Sequence, residues 1–234
     1  MKMKTFRMTK QLMDEIKRRQ NYFRGAILKW ASMNLREFPW RRDRTPYKVL
    51  VAEIILRRTT SKAALKVYEG FLQKWPDIIS LSKANPTELE EFLKAVGYHK
   101  QRAAILIEMA KYIMENYGGR IPAHKEDLLR IPHVGFYTAS AILSLGYGVR
   151  AAMVDSNVQR ILKRYFQKYL PERLSTKLIQ EIADFLVPEE NHEIYNLALL
   201  DLGALICRYN KPRCDRCPLQ STCDIGKNML KEGY

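Results

Sequence analysis

The sequence predicts an all-α chain, and three observations carry that reading. Apolar residues recur at helical spacing, first at Leu12, Ile16, Tyr22, Phe23, Ile27 and Trp30. Pro and Gly then punctuate one helical pattern after another. Sustained period-two alternation occurs nowhere, and neither does an internal repeat or a low-complexity tail.

Residues 9–35 read as one amphipathic helix whose remaining positions are strongly basic. Phe38-Pro39-Trp40 followed by Arg41-Arg42-Asp43-Arg44 reads as a loop. Pro46 suits a first helical turn and opens a helix over 47–60. Further helices are predicted at 62–74, 86–96, 100–117, 124–130, 136–146, 156–168, 175–186 and 193–206. The breaks fall at Trp75-Pro76, Asn85-Pro86, Gly97, Gly118-Gly119, Pro122, Pro171 and Pro188. Asn85 before Pro86 has the form of an N-cap with proline at the first helical position.

The 234 residues suit one large domain or two small ones, and 47% hydrophobic residues suffice for a core. Forty Lys and Arg against 25 acids give a net charge of +15, which predicts an anionic partner. The longest apolar run, 49–56, is interrupted by Glu53 and is too short to span a bilayer. The first seven residues lack the apolar core of a signal peptide. Together these predict an intracellular protein with a nucleic-acid partner and no membrane.

Three stretches carry candidate chemistry. Glu53 stands amid seven apolar residues of 49–56. Burial there would raise its proton affinity and suit a general acid, although a solvent stripe or pairing with a core arginine would place it equally well. Arg57 and Arg58 follow as donors for a phosphate or a base edge. In the second stretch, Pro132-His133-Val134-Gly135 joins two helical patterns with too few residues for a conventional loop. Gly135 would admit a phosphate close to the backbone, and Val134 would pack between the helices. Tyr137 falls in the first turn beyond, and Asp155 before Ser156-Asn157 has the form of a helix N-cap. The third stretch holds Cys207, Cys214, Cys217 and Cys223, the only cysteines of the chain, within seventeen residues. That clustering reads as a metal site, tetrahedral zinc or iron–sulfur, rather than disulfides.

Taken together, Ile131-Pro-His-Val-Gly135, Asp155 eighteen residues after Tyr137, and the spacing Cys-x6-Cys-x2-Cys-x5-Cys resemble the helix-hairpin-helix DNA glycosylases of the endonuclease III superfamily. Thr45-Pro-Tyr-Lys-Val and Asp201-Leu-Gly-Ala-Leu-Ile-Cys207 are similar to the adenine-glycosylase branch. Ala52-Glu-Ile-Ile-Leu-Arg-Arg-Thr-Thr60, with Tyr137, is most similar to the archaeal thymine (T·G mismatch) glycosylases within it.

The resemblance implies two helical domains, a barrel with the hairpin at 39–149 and an iron–sulfur domain from 1–38 and 150–234. A DNA-binding cleft lies between them in that family. It implies a 4Fe-4S cluster on the four cysteines, with Lys211, Arg213 and Arg216 presented to phosphates. It makes Asp155 the stabiliser of a cationic sugar and Glu53 the acid that protonates the departing base. Tyr137 stands where strand-cleaving members carry a lysine, so base removal without efficient lyase chemistry is expected. Arg58 would fill the space of the flipped base and Tyr98 would wedge the opposite strand. Pro132, His133, Val134 and Gly135 would hold a phosphate. His133 replaces the family's usual glycine, which a positive φ at that position would explain.

The chain ends eleven residues after Cys223, so the domain with which the adenine branch reads oxidised guanine is expected to be absent. The expected partner is double-stranded DNA with a mismatch, bound by a monomer. Adenine removal opposite guanine or oxidised guanine, and a non-catalytic iron–sulfur DNA-binding or redox-sensing protein, are the competing readings.

Overall fold

The computed structural model describes residues 8–229, and every regular element among them is helical. The first half of the chain runs α1 (Lys10–Asn34), α2 (Pro39–Arg42), α3 (Pro46–Leu56), α4 (Ser61–Leu65), α5 (Tyr68–Lys74), α6 (Ile78–Ser82) and α7 (Pro86–Phe92). It continues with α8 (His99–Tyr117), α9 (Lys125–Leu128), α10 (Phe136–Ala141), α11 (Ser156–Tyr165), α12 (Thr176–Leu186), α13 (His192–Leu205) and α14 (Gly226–Met229). Residues 1–7, where a signal peptide would begin, lie outside the described part. No described helix is long and apolar enough to cross a membrane. The chain divides into two compact units, Glu37–Val149 and the described residues on either side of it.

In the unit Glu37–Val149, α3 is the central helix. Val49, Leu50, Val51, Ala52, Ile54 and Ile55 are all buried, which is why its sequence reads as a continuous apolar run. Thr45 caps it, accepting from Lys48 N at 3.3 Å, with Pro46 at its first position. A Cβ on Gly146 would sit 2.9 Å from Pro46 Cα, so glycine sets how closely the end of the hairpin helix approaches α3. The Asn85 cap forms as expected, accepting from Glu88 N at 3.1 Å.

Several predicted boundaries move. The helix expected over 47–60 stops at Leu56, because Arg57 leaves the helical region with ψ 120° and Arg58 adopts φ +51°. Arg102 satisfies the open end: its guanidinium donates to the Ile54 carbonyl, the acceptor that Arg58 N–H would use in a continued helix. Thr60 then caps the separate short helix α4. The pattern at 62–74 breaks at Val67 into α4 and α5. The stretch expected as a loop at 39–42 is a helical turn, with Trp40 buried and stacked on Phe38 at 4.8 Å. α6 has no counterpart among the expected helices, although Asp77 and Ser80 form a reciprocal capping box at its start. The helix expected over 136–146 is α-helical only to Ala141 and finishes as a π turn, Ile142–Gly146.

The other unit packs α1 against α12 and α13, and α11 against α13. Its core includes Ile16, Phe23, Ile27, Ile161, Tyr165, Ile182, Tyr195 and Leu202. Phe23 meets Tyr165 edge-on with ring centres 4.8 Å apart. Arg19 is buried and bridges Glu15 to Asp224, donating also to the Thr222 carbonyl at 2.8 Å. This buried ionic group ties the segment after Cys217 to α1. The Tyr22 hydroxyl adds a donor to the Pro218 carbonyl at 3.2 Å.

Candidate active site and nucleic-acid interface

α9 and α10 are joined by the hairpin expected from Pro132 to Gly135. The turn closes with Val134 N donating to Ile131 O at 3.1 Å, and Val134 packs inward as anticipated. His133 has φ +63°, which answers why the position favours glycine. For a residue other than glycine the left-handed conformation costs roughly 1–2 kcal/mol. Two contacts hold it there. Nε2 of His133 lies 2.8 Å from Glu108 Oε2, and its carbonyl accepts from Arg57 Nη2 at 2.7 Å. Gly135 is extended, and nothing stands within 4 Å of where its Cβ would be, so the backbone is open to an approaching group.

Arg57 departs from the expectation of a donor aimed at DNA. Its guanidinium is half-buried, bonding the hairpin carbonyl and Thr138 Oγ1 at 3.2 Å, and burial lowers its pKa. It locks the end of α3 to the hairpin. Arg58 is exposed, as anticipated, and its guanidinium lies 5.8 Å from the ring centre of Tyr98. Tyr98 is 58% exposed and also left-handed, at φ +50°. The two residues expected to enter the DNA stack are therefore side by side on the surface of this unit.

Glu53 is half-buried on α3, and the Tyr137 hydroxyl on α10 lies 3.5 Å from its Oε1, a long hydrogen bond. The hairpin thus brings the expected acid and Tyr137 together.

In the other unit, Asp155 caps α11. Its Oδ1 accepts from Val158 N at 2.8 Å and its Oδ2 from Asn157 Nδ2 at 2.7 Å. Asn157 Oδ1 accepts in turn from Arg160 Nη2 at 2.7 Å, and Arg160 Nε donates to Cys207 O at 2.8 Å. A hydrogen-bond chain therefore runs from the carboxylate to the cysteine segment. Gly203 makes it possible, since a Cβ there would come within 2.4 Å of Asn157 Cβ. Gly203→Ala is expected to destabilise by about 1–3 kcal/mol through overpacking. Thermal unfolding reads this as a Tm lowered by several degrees. An unchanged Tm would mean that α11 and α13 separate without strain.

The four cysteines line one cavity together with Arg164, Leu202, Leu219 and Ile225. Arg164 Nη1 lies 3.4 Å from Cys207 Sγ and 2.7 Å from Arg208 O, and its Nη2 reaches Tyr209 O at 2.8 Å. Burial pushes the Cys217 thiol up to about 12 and raises Cys214 and Cys223 as well. Among the described residues no three His, Cys, Asp or Glu side chains form a group that could hold a metal ion. Lys211, Arg213 and Arg216 are exposed around this segment, and Tyr209 is 78% exposed beside them.

Three participants lie outside the sequence expectations: Arg102, Asn157 and Glu108. Only Arg102 leaves a usable signal. It stands on the same helical stripe as the buried Leu106, Met109 and Ile113 of α8, where an arginine is out of place.

A helical hairpin whose backbone is open to an approaching group, exposed basic side chains and a half-buried carboxylate together suit a protein that does chemistry on nucleic acid. The chain belongs to the HhH-GPD superfamily of base excision DNA repair proteins, whose family model matches residues 51–203. It is 36% identical over 211 residues to the thymine/uracil-DNA glycosylase of Methanothermobacter thermautotrophicus, covering 90% of this chain and 96% of that one. It is 34% identical over 214 residues to the adenine DNA glycosylase of Buchnera aphidicola, covering 89% of this chain and 61% of that one. The solved structure of a thermostable thymine-DNA glycosylase matches with a TM-score of 0.86 at 36% identity, covering 91% of this chain and 98% of that one. The helix-hairpin-helix resemblance and the all-α fold are thereby met.

Proposed function

We propose that the chain is a monofunctional DNA glycosylase that hydrolyses the N-glycosidic bond of thymine, and of uracil, mispaired with guanine. The observation that carries this reading is the pairing of Tyr137 with Glu53. The hairpin helix brings a phenol, not an amine, to the half-buried carboxylate. A phenol forms no Schiff base with an opened sugar. Likeness to a thymine/uracil-DNA glycosylase along nearly the whole of both chains supports the choice of base.

The reaction needs two carboxyl groups. Glu53 gives its proton to the departing base as the bond from C1′ to N1 of the pyrimidine breaks. Asp155 would stabilise the positive charge that develops on the sugar, and water supplies the hydroxyl that closes on C1′ while its remaining proton passes to solvent, which returns one proton to Glu53. A mispaired base is cheaper to extrude from the duplex, which supplies part of the selectivity.

All four thiols line one cavity. That placement, with the spacing Cys-x6-Cys-x2-Cys-x5-Cys, supports a 4Fe-4S cluster there. Cys207, Cys214, Cys217 and Cys223 would hold the cluster as thiolates, and its contribution is to fix the loop that presents Lys211, Arg213 and Arg216 to phosphates.

Duplexes carrying T·G, U·G, A·G and A·oxidised-G pairs, treated with alkali after incubation, test the reading. Abasic product is expected from T·G and U·G. Product from the adenine duplexes alone would assign the adenine activity, and none from any duplex would leave a DNA-binding protein without catalysis. Borohydride is expected to trap no covalent adduct with T·G DNA, whereas efficient trapping would restore lyase chemistry.

A further inference from the structure

Arg102 is buried at 4% exposure in a unit whose other arginines mostly reach solvent. Among the described residues its guanidinium faces neutral oxygens only. It donates to Ile54 O, to Arg57 O at 3.0 Å and to Thr59 Oγ1 at 2.9 Å, and reaches Val96 O and Gly97 O at 3.4 Å. Burial, and then the charge of Arg57, lower its pKa. A buried cation without a carboxylate partner is costly, so what it organises must repay the burial.

The acceptors have a pattern. Arg57 O belongs to the peptide leading into Arg58, and Gly97 O to the peptide leading into Tyr98. Those two residues are left-handed, at φ +51° and +50°. Such conformations persist only where the surroundings over-determine them. One planar fork holds both peptides at once, and Thr59 Oγ1 cross-links the same two segments through Val96 O at 2.9 Å. The first turn of α8 closes the arrangement, with Arg102 N donating to Tyr98 O at 2.9 Å.

We propose that Arg102 is a positioning residue that sets Arg58 and Tyr98 as one rigid pair for opening the DNA stack. The inference rests on the reading that these two side chains enter the duplex. In this role Arg102 acts through those two peptides and not on the reacting base. Its guanidinium fixes the spacing between the two backbone turns, and the Arg58 cation lies against the Tyr98 ring as a consequence.

The test is a mutant cycle on the full chain, using a T·G duplex with 2-aminopurine beside the thymine. Fluorescence on binding reports unstacking, and single-turnover cleavage reports base removal. Arg102→Met is expected to cut both by about tenfold or more, since small misplacements of positioning groups carry penalties of that size. In a background of Arg58→Ala with Tyr98→Ala, the same change is expected to cost less than about twofold, because residues acting through one another are non-additive. An undiminished tenfold loss in that background would overturn the proposal and leave Arg102 as general scaffolding. Arg102→Lys, which keeps the charge but not the fork, runs the same cycle if the Met variant fails to fold. Wild-type protein that brightens the 2-aminopurine but cleaves no duplex would sink the glycosylase reading alone, since the cycle is still read by fluorescence.

Discussion

Asp155→Asn is expected to abolish base removal while leaving a folded protein that binds DNA. Asparagine caps a helix as well as aspartate, so the bond from Val158 N survives. The other side of the amide carries a strain that can be anticipated. Its NH2 would meet Asn157 Nδ2, now 2.7 Å from Oδ2, and Asn157 cannot simply turn over because its oxygen serves Arg160. Losing one such hydrogen bond costs about 1 kcal/mol, a fall of a few degrees in Tm. The chemical loss is larger. An amide does not stabilise a cationic sugar, and removing a preorganised electrostatic group typically lowers a rate by about 10²–10³. Single-turnover cleavage of T·G DNA and a binding titration on the same duplex separate the two effects. Cleavage within about tenfold of wild type would remove Asp155 from the chemistry and leave it a helix cap.

The second large effect is expected from Glu53→Gln. Glutamine preserves the shape of the side chain and an oxygen for the Tyr137 hydroxyl, but has no proton to give. Loss of a general acid lowers a rate by about 10²–10⁴. Tyr137→Phe keeps the ring, removes the long 3.5 Å hydrogen bond to Glu53, and is expected to cost under about tenfold. Equal losses in the two variants would mean that Glu53 and Tyr137 act as one structural unit, not as acid and neighbour.

Much of the site is legible in the order of residues along the chain. The hairpin at 132–135, the caps at Asn85 and Asp155 and the four-cysteine spacing depend on residues close together in sequence, and local chemistry specifies them. The match of residues 51–203 to a base excision repair family bears out the resemblance those residues carry. The end of α3 is not legible in this way because the donor to its Ile54 carbonyl lies 48 residues away, in Arg102. Arg57 reads as a donor for a phosphate or a base edge, and only the fold turns it onto His133 O and Thr138. His133 is anomalous in sequence, and its φ of +63° and its partner Glu108 account for it.

By itself the sequence determined which chemical groups exist and which short segments form: the helices, most of their breaks, the hairpin and the candidate acid, cap and thiols. Those features arise from periodicity and from hydrogen bonds spanning three or four residues. Tertiary structure alone decided what each long side chain does. Three arginines illustrate it: Arg57 is folded inward, Arg58 is turned out beside Tyr98, and Arg102 is buried beneath both. An arginine offers the same donors at every position, so its role is chosen by the oxygens that the fold places within reach.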